Sequence, residues 1–373
     1  MLCFPPRAAS AARFFSGFDV ASAARFFSKN DSESTNRLVS VGVALVIATS
    51  LSGCSTGNAA PPLDRLNIDP DRVAVAGLSS GAYMATQAHV AFSDHIRGAA
   101  VLAGGPYACA HGDLGTALGT CMKANPAAPD VAALAKTVRE RADAGSIAPV
   151  AGLAADKVWV WHGDKDVLVA EVVSRAGAEL YRDLGVNQVV WDGDLAAGHG
   201  FPVTEGEGSC EAPEKPYLAA CGFDAAGALV KAIYGTDPLD GDSVAPGELR
   251  RFDQQALVGA DDASPQLADD GYLYVPKACA DGERCGLLIA FHGCEQNADN
   301  VGEAFVTGTG INQWADRYRL AVLYPQTKAS LAPLNPKACW DWWGYTGANY
   351  DTREGAQLKW LNTAASVLGA PLR

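Results

Sequence analysis

Short apolar runs alternate along most of this chain with longer stretches whose apolar positions recur every three or four residues. That is the pattern of a parallel sheet covered by helices. The apolar runs predict strands over residues 72–77, 98–103, 157–161, 188–191, 272–275, 286–291 and 320–324. The longer stretches predict helices over 82–92, 129–142, 170–183, 223–234, 310–318 and 353–367. Strands and helices in this alternation call for the α/β class, a central mostly parallel sheet with helices on both faces. Between residues 235 and 270 the pattern gives way to Asp, Gly and Pro, "TDPLDGDSVAPGE" and then "VGADDASPQLADDG". Such composition predicts a linker that divides the chain into two halves.

The N-terminal 60 residues follow different rules. Val39 to Leu51, "VSVGVALVIATSL", is apolar or small throughout and preceded by Arg37. It is too short to span a bilayer comfortably and fits the hydrophobic part of a signal peptide. It closes in "LSGC", which resembles the lipobox of bacterial lipoproteins and makes Cys54 a lipidation candidate. Ordinary cleavage near Ala59–Ala60 is the alternative. Upstream, "ASAARFFS" occurs at Ala9 to Ser16 and again at Ala21 to Ser28, too few copies for a repeat fold. Residues 1–60 are therefore read as an extension and export signal, and residues 61–373 as one catalytic domain.

Cysteine usage agrees with export. Apart from Cys3 and Cys54, eight remain: Cys109, Cys121, Cys210, Cys221, Cys279, Cys285, Cys294 and Cys339. Eight cysteines allow on the order of a hundred pairings, so spacing alone leaves connectivity open. They nevertheless cluster as 109 with 121, 210 with 221 and 279 with 285, leaving 294 with 339. An even set in an exported chain reads as a disulfide framework. A metal site is disfavoured, since no Cys-x2-Cys pair occurs and the histidines lack ligand spacing. The net charge of −13 argues against nucleic acid or an anionic membrane surface as main partner. A neutral or apolar substrate suits it better.

The chemistry centres on "RVAVAGLSSGAYM", Arg72 to Met84. A Gly-x-Ser-x-Gly string alone is weak. Here it follows a buried-strand pattern and opens a helix, the context of a nucleophile elbow with Ser79 at its apex and the Ser80 N–H facing the oxyanion. A nucleophilic serine needs a base, and the base an orienting carboxylate. After the strand "KVWVW" come Asp164 and Asp166; Asp166 is favoured, lying further into the loop, with Asp164 as turn former. Of six histidines, His199 in "AAGHGFP" follows a strand downstream of the acid and is the candidate base, with His162 as rival. "GLLIAFHGCEQ", Gly286 to Gln296, looks like the strand and His-Gly loop that supply the second oxyanion donor, here the Cys294 N–H. That element ordinarily precedes the nucleophile. Its position after the triad marks a circular permutation of the α/β-hydrolase fold, joined through the 235–270 linker.

Taken together, "GLSSGAYM", "AGGPYACA", "HGDKD", "GHGFP", "YLYVP", "FHGCEQ" and "CWDWWGY" resemble, in content and order, the single-domain extracellular poly(3-hydroxybutyrate) depolymerases. The resemblance runs from about Leu63 to the C-terminus. It implies a serine esterase acting through an acyl-enzyme on a short-chain polyhydroxyalkanoate. Ser79 would be nucleophile, Asp166 orienting acid and His199 base, with Ser80 and Cys294 as oxyanion donors. No cofactor or metal is implied, and a monomer is expected. Trp340, Trp342, Trp343 and Tyr345 of "CWDWWGY" are candidates for contact with the polymer, or for core. Rival readings are a feruloyl or acetyl esterase acting on plant polysaccharide, and a non-catalytic surface lipoprotein that keeps the fold.

Overall fold

The computed structural model describes residues 60–235, 245–260 and 262–373. The duplicated octapeptide, the apolar run, Cys54 and residues 236–244 of the expected linker lie outside the described residues. In chain order the strands are β1 (Ile68–Leu78), β2 (Gly98–Leu102), β3 (Lys157–Trp161), β4 (Gln188–Asp192), β5 (Phe201–Val203), β6 (Leu218–Ala220), β7 (Glu248–Asp253), β8 (Asp270–Val275), β9 (Cys285–Phe291) and β10 (Leu320–Tyr324). Eight of them form one sheet in the order β4-β3-β2-β1-β9-β10-β8-β7, and β5 pairs with β6 apart from it. All pairings from β4 to β10 are parallel; β8 and β7 are attached antiparallel.

Side-chain alternation along β1 builds two cores. Val73 and Val75 face a layer made by α1 (Ser80–Ala91), α2 (Val131–Asp143), α3 (Glu171–Asp183) and a C-terminal helix, Ala356–Leu368. Ala74, Ala76 and Leu78 face the opposite layer, made by α4 (Ala225–Tyr234) and α5 (Ile311–Tyr318). With both faces covered, β1 is buried from Val73 to Leu78, which is why it reads as a continuous apolar run. Helices α2 and α4 start two residues later than their patterns predict. Asp130 and Asp224 cap them by accepting the Ala133 and Gly227 amides at 3.1 and 2.8 Å.

Permutation is legible at the chain's two described ends. The C-terminal helix, α6 (Ala356–Leu368), finishes against the segment that leads into β1: the Leu66 amide donates to the Leu368 carbonyl at 3.0 Å. In an unpermuted α/β-hydrolase chain this helix would lead into β1. The 235–270 stretch is not all linker, however. It holds β7, whose "ELRRFD" lacks an apolar alternation because the strand is the sheet edge, with Glu248 and Arg251 exposed. Charges on an edge strand discourage pairing with another chain.

Among the described residues four disulfides close: Cys109–Cys121, Cys210–Cys221, Cys279–Cys285 and Cys294–Cys339. Such a set forms in oxidising compartments and fits an exported chain. Among the described residues no helix is long and apolar enough to cross a membrane.

Candidate active site

The strand-to-helix turn after β1 is tight enough to dictate its own sequence. A Cβ on Gly77 would lie 2.1 Å from the Gly81 carbonyl oxygen, and one on Gly81 would lie 2.3 Å from that of Phe291. Between them Ser79 sits at φ 57°, ψ −121°, a conformation that costs roughly 1–3 kcal/mol and persists only where the surroundings enforce it. Enforcement comes from the Ser79 amide, which donates to the Leu102 carbonyl at 2.9 Å, and from its carbonyl, which takes the Ala82 and Tyr83 amides at 2.9 and 3.1 Å. Ser79 is thus held at the apex of the turn, and among the described residues the Ser80 and Gly81 amides that open α1 have no protein acceptor.

The loops after β3 and β4 bring an acid and a histidine together above the same edge. Asp166 Oδ1 accepts the Leu168 and Val169 amides at 2.7 and 3.0 Å. Its Oδ2 accepts from His199 Nδ1 at 2.7 Å. Burial raises this carboxyl, but the contact with His199 and the two amides outweighs it and holds Asp166 below the usual carboxylate range. Asp164, by contrast, is half-exposed and pairs with Lys165. His162 is buried and donates from Nε2 to the Val169 carbonyl at 3.0 Å, so it braces the acid's loop. The histidine's loop is braced in turn by the Cys210–Cys221 disulfide, with the Gly198 amide donating to the Cys210 carbonyl at 2.8 Å.

On the other side of Ser79 lies the turn that follows β9. The Gly293 amide donates to Gln296 Oε1 at 2.8 Å, the Glu295 amide to the Lys337 carbonyl at 2.7 Å, and the Gln296 amide to the Gly293 carbonyl at 3.2 Å. Of the Gly293, Cys294, Glu295 and Gln296 amides, the Cys294 amide alone lacks a protein acceptor among the described residues. It therefore matches the Ser80 amide as a free donor. His292 has no access to substrate: fully buried, it donates from Nδ1 to the Gly293 carbonyl at 2.7 Å and accepts the Thr327 amide on Nε2 at 3.2 Å. Burial pushes its pKa down from 6.5 to about 4. The unfolded chain thus takes up a proton near pH 6.5 that the folded chain refuses until about pH 4. Stability carried by this residue is complete above that window and is lost as pH falls through it. Chemical denaturation is expected to show wild type losing about 3 kcal/mol more than His292→Asn between those limits; parallel pH profiles would overturn the assignment.

Ser79, Ser80, His199, Cys294 and Gln296 line one cavity of about 450 Å³. Its walls are apolar: Leu114, Leu118 and Met122 from the segment of the first disulfide, Leu168 beside the acid, Leu334, and the pair Trp342 and Trp343. Trp342 stacks on Tyr83 with ring centroids 4.4 Å apart, and Trp343 packs edge-on against Trp342 at 5.8 Å. The other two aromatic candidates do not reach the cavity. Trp340 is fully buried against Phe291, and Tyr345 lies behind Trp343, its hydroxyl donating to the Cys339 carbonyl at 2.8 Å. Sequence reasoning missed Tyr83, four residues past Ser79 and so one helical turn along the same face. It also gave no role to Gln296, at the end of "FHGCEQ", whose amide donates to the Pro216 carbonyl at 2.9 Å. Only the fold shows that Gln296 ties the two loops together.

Comparison with known proteins places the chain in a family. The profile of the family described as "Esterase PHB depolymerase" matches residues 270–366, the span from β8 into α6. Over 316 residues the chain is 38% identical to a poly(3-hydroxybutyrate) depolymerase of Delftia acidovorans, covering 83% of this chain and 62% of that protein. It is 35% identical over 337 residues to a polyhydroxybutyrate depolymerase of Talaromyces funiculosus, covering 86% of this chain and 93% of that one. The crystal structure of a PHB depolymerase from Penicillium funiculosum superposes with a TM-score of 0.75 at 32% identity, covering 82% of this chain and 98% of that chain. A PHB depolymerase variant in complex with an R3HB trimer matches with the same figures. With this identity over nearly the whole of a relative, the chain belongs to the poly(3-hydroxybutyrate) depolymerase family.

Proposed function

We propose that the protein is an exported serine esterase that hydrolyses the ester bonds of poly(3-hydroxybutyrate) or related short-chain polyhydroxyalkanoates. The observation that carries this reading is His199, held by Asp166 and lining one apolar cavity together with the elbow serine. With its Nδ1 proton held by Asp166, the His199 ring has Nε2 free to accept the Ser79 hydroxyl proton as Oγ adds to an ester carbonyl. Charge developing on the carbonyl oxygen falls to the Ser80 and Cys294 amides, donors of a kind worth several kcal/mol in the transition state. His199 returns the proton to the departing hydroxyl end of the polymer, leaving an acyl-Ser79. Water activated by the same ring then releases the carboxylic acid.

The substrate class follows from the lining and from the relatives' names. A chain of uncharged ester repeats needs an apolar cleft with few fixed charges, which the walls supply. Leu118, Leu168 and Leu334 at the cavity, with Val167 and Leu331, are exposed. Such an apolar rim favours adsorption to a solid polyester. Emulsified polyhydroxybutyrate is expected to clear on addition of the enzyme while methyl ferulate stays intact; cleavage of the aromatic ester alone would overturn the substrate class. Release of the exported chain and lipid attachment at Cys54 are the two forms of this reading, and the mass of the mature N-terminus separates them.

A further inference from the structure

We propose that Asp341 is a positioning residue for polymer binding: its buried carboxylate folds the 341–346 turn that presents Trp342 and Trp343 to the cavity. This inference rests on the ester-hydrolase reading above and assigns a role to the one acid in "CWDWWGY". Asp341 is fully buried. Its Oδ1 accepts the amides of Trp343, Gly344 and Tyr345 at 3.3, 2.6 and 3.0 Å. Its Oδ2 accepts the Thr346 amide at 2.7 Å and the Thr346 hydroxyl at 2.6 Å. Five donors converge on one side chain. A carboxylate is acceptor-only with about four lone-pair sites, so these donors saturate it and the longest, from Trp343 at 3.3 Å, shares Oδ1. Burial raises its pKa, while the Thr346, Gly344 and Tyr345 contacts favour the charged form. Asparagine would turn an NH2 group into this ring of donors.

The anchoring reaches beyond the turn. The Asp341 amide donates to Gln357 Oε1, and its carbonyl accepts from Gln87 on α1, each at 2.9 Å. Just upstream, the Trp340 amide donates to Ser80 Oγ at 3.3 Å and Cys339 is bonded to Cys294. The segment thus joins the aromatic wall to both free amides beside Ser79. Loosening Asp341 moves the wall first, since the upstream residues keep their own ties.

Kinetics on a soluble 3-hydroxybutyrate trimer test this. Asp341→Asn is expected to raise KM roughly tenfold while kcat falls by less than about threefold, and Thr346→Val, which removes one of the five donors, to raise KM by about threefold. In a Trp342→Ala/Trp343→Ala background, Asp341→Asn should add no further increase in KM. A full KM increase in that background would overturn the proposal. So would a loss confined to kcat that tracks the melting temperature across both variants. Thr346→Val keeps the test decisive if Asp341→Asn does not fold. A wild-type enzyme that leaves the trimer uncleaved would instead sink the functional reading.

Discussion

Replacing Ser79 with alanine is expected to slow ester hydrolysis by about 10^5- to 10^6-fold and to abolish covalent labelling by an organophosphate probe. The elbow itself should survive. Alanine keeps the Cβ and the positive φ of Ser79, and Ser79 holds its place through backbone amide and carbonyl contacts that the substitution leaves alone. Stability should therefore stay within about 0.5 kcal/mol of wild type. Ser80 is the natural competitor, since it neighbours Ser79 in the same pentapeptide. Its hydroxyl, however, is buried and already accepts the Trp340 amide at 3.3 Å, so its side chain is committed to the wall. Labelling that persisted in Ser79→Ala would move the nucleophile elsewhere.

The parts of this site that are legible in the sequence are those where backbone geometry demands particular residues. Gly77 and Gly81 are enforced by carbonyl oxygens closer than a Cβ allows, so the elbow announces itself. The strands buried on both faces announce themselves too, because nothing polar is tolerated there. The order of elbow serine, aspartate loop, histidine loop and His-Gly loop is what points to a permutation without any knowledge of contacts. That order carries over to the fold because a parallel sheet sets each of these residues beyond the end of a strand, whatever strand the chain happens to start from.

What stays illegible depends on contacts far apart in the chain. Strand β7 carries charges because it is an edge, a property of the sheet order and not of "ELRRFD" itself. Trp340 and Trp342 share one motif and one residue type, yet one is core beside Phe291 and the other stacks on Tyr83 at the cavity. Which is which follows from the turn that Asp341 folds. Likewise Asp164 and Asp166 are two residues apart in a loop, and only the path of that loop past Val169 and His199 turns one inward and leaves the other in solvent.

That last distinction yields the second large effect. Asp166→Asn is expected to lower kcat by about 10^4-fold with little change in KM, whereas Asp164→Asn should stay within about twofold of wild type. The reason lies in which oxygen is already spoken for. Asp166 Oδ1 accepts two backbone amides, from Leu168 and Val169, and an asparagine satisfies them only by putting its carbonyl oxygen there. Its NH2 must then face His199 Nδ1, where Asp166 Oδ2 now accepts at 2.7 Å. A donor in that position forces the imidazole proton onto Nε2, the nitrogen that has to receive the Ser79 proton. The ring is held in place but in the wrong tautomer, so substrate still binds and the chemical step fails. Steady-state kinetics on a soluble ester would distinguish the two aspartates directly: a comparable loss in both variants would mean that the loop matters as a whole, and a loss confined to Asp164→Asn would reverse the assignment.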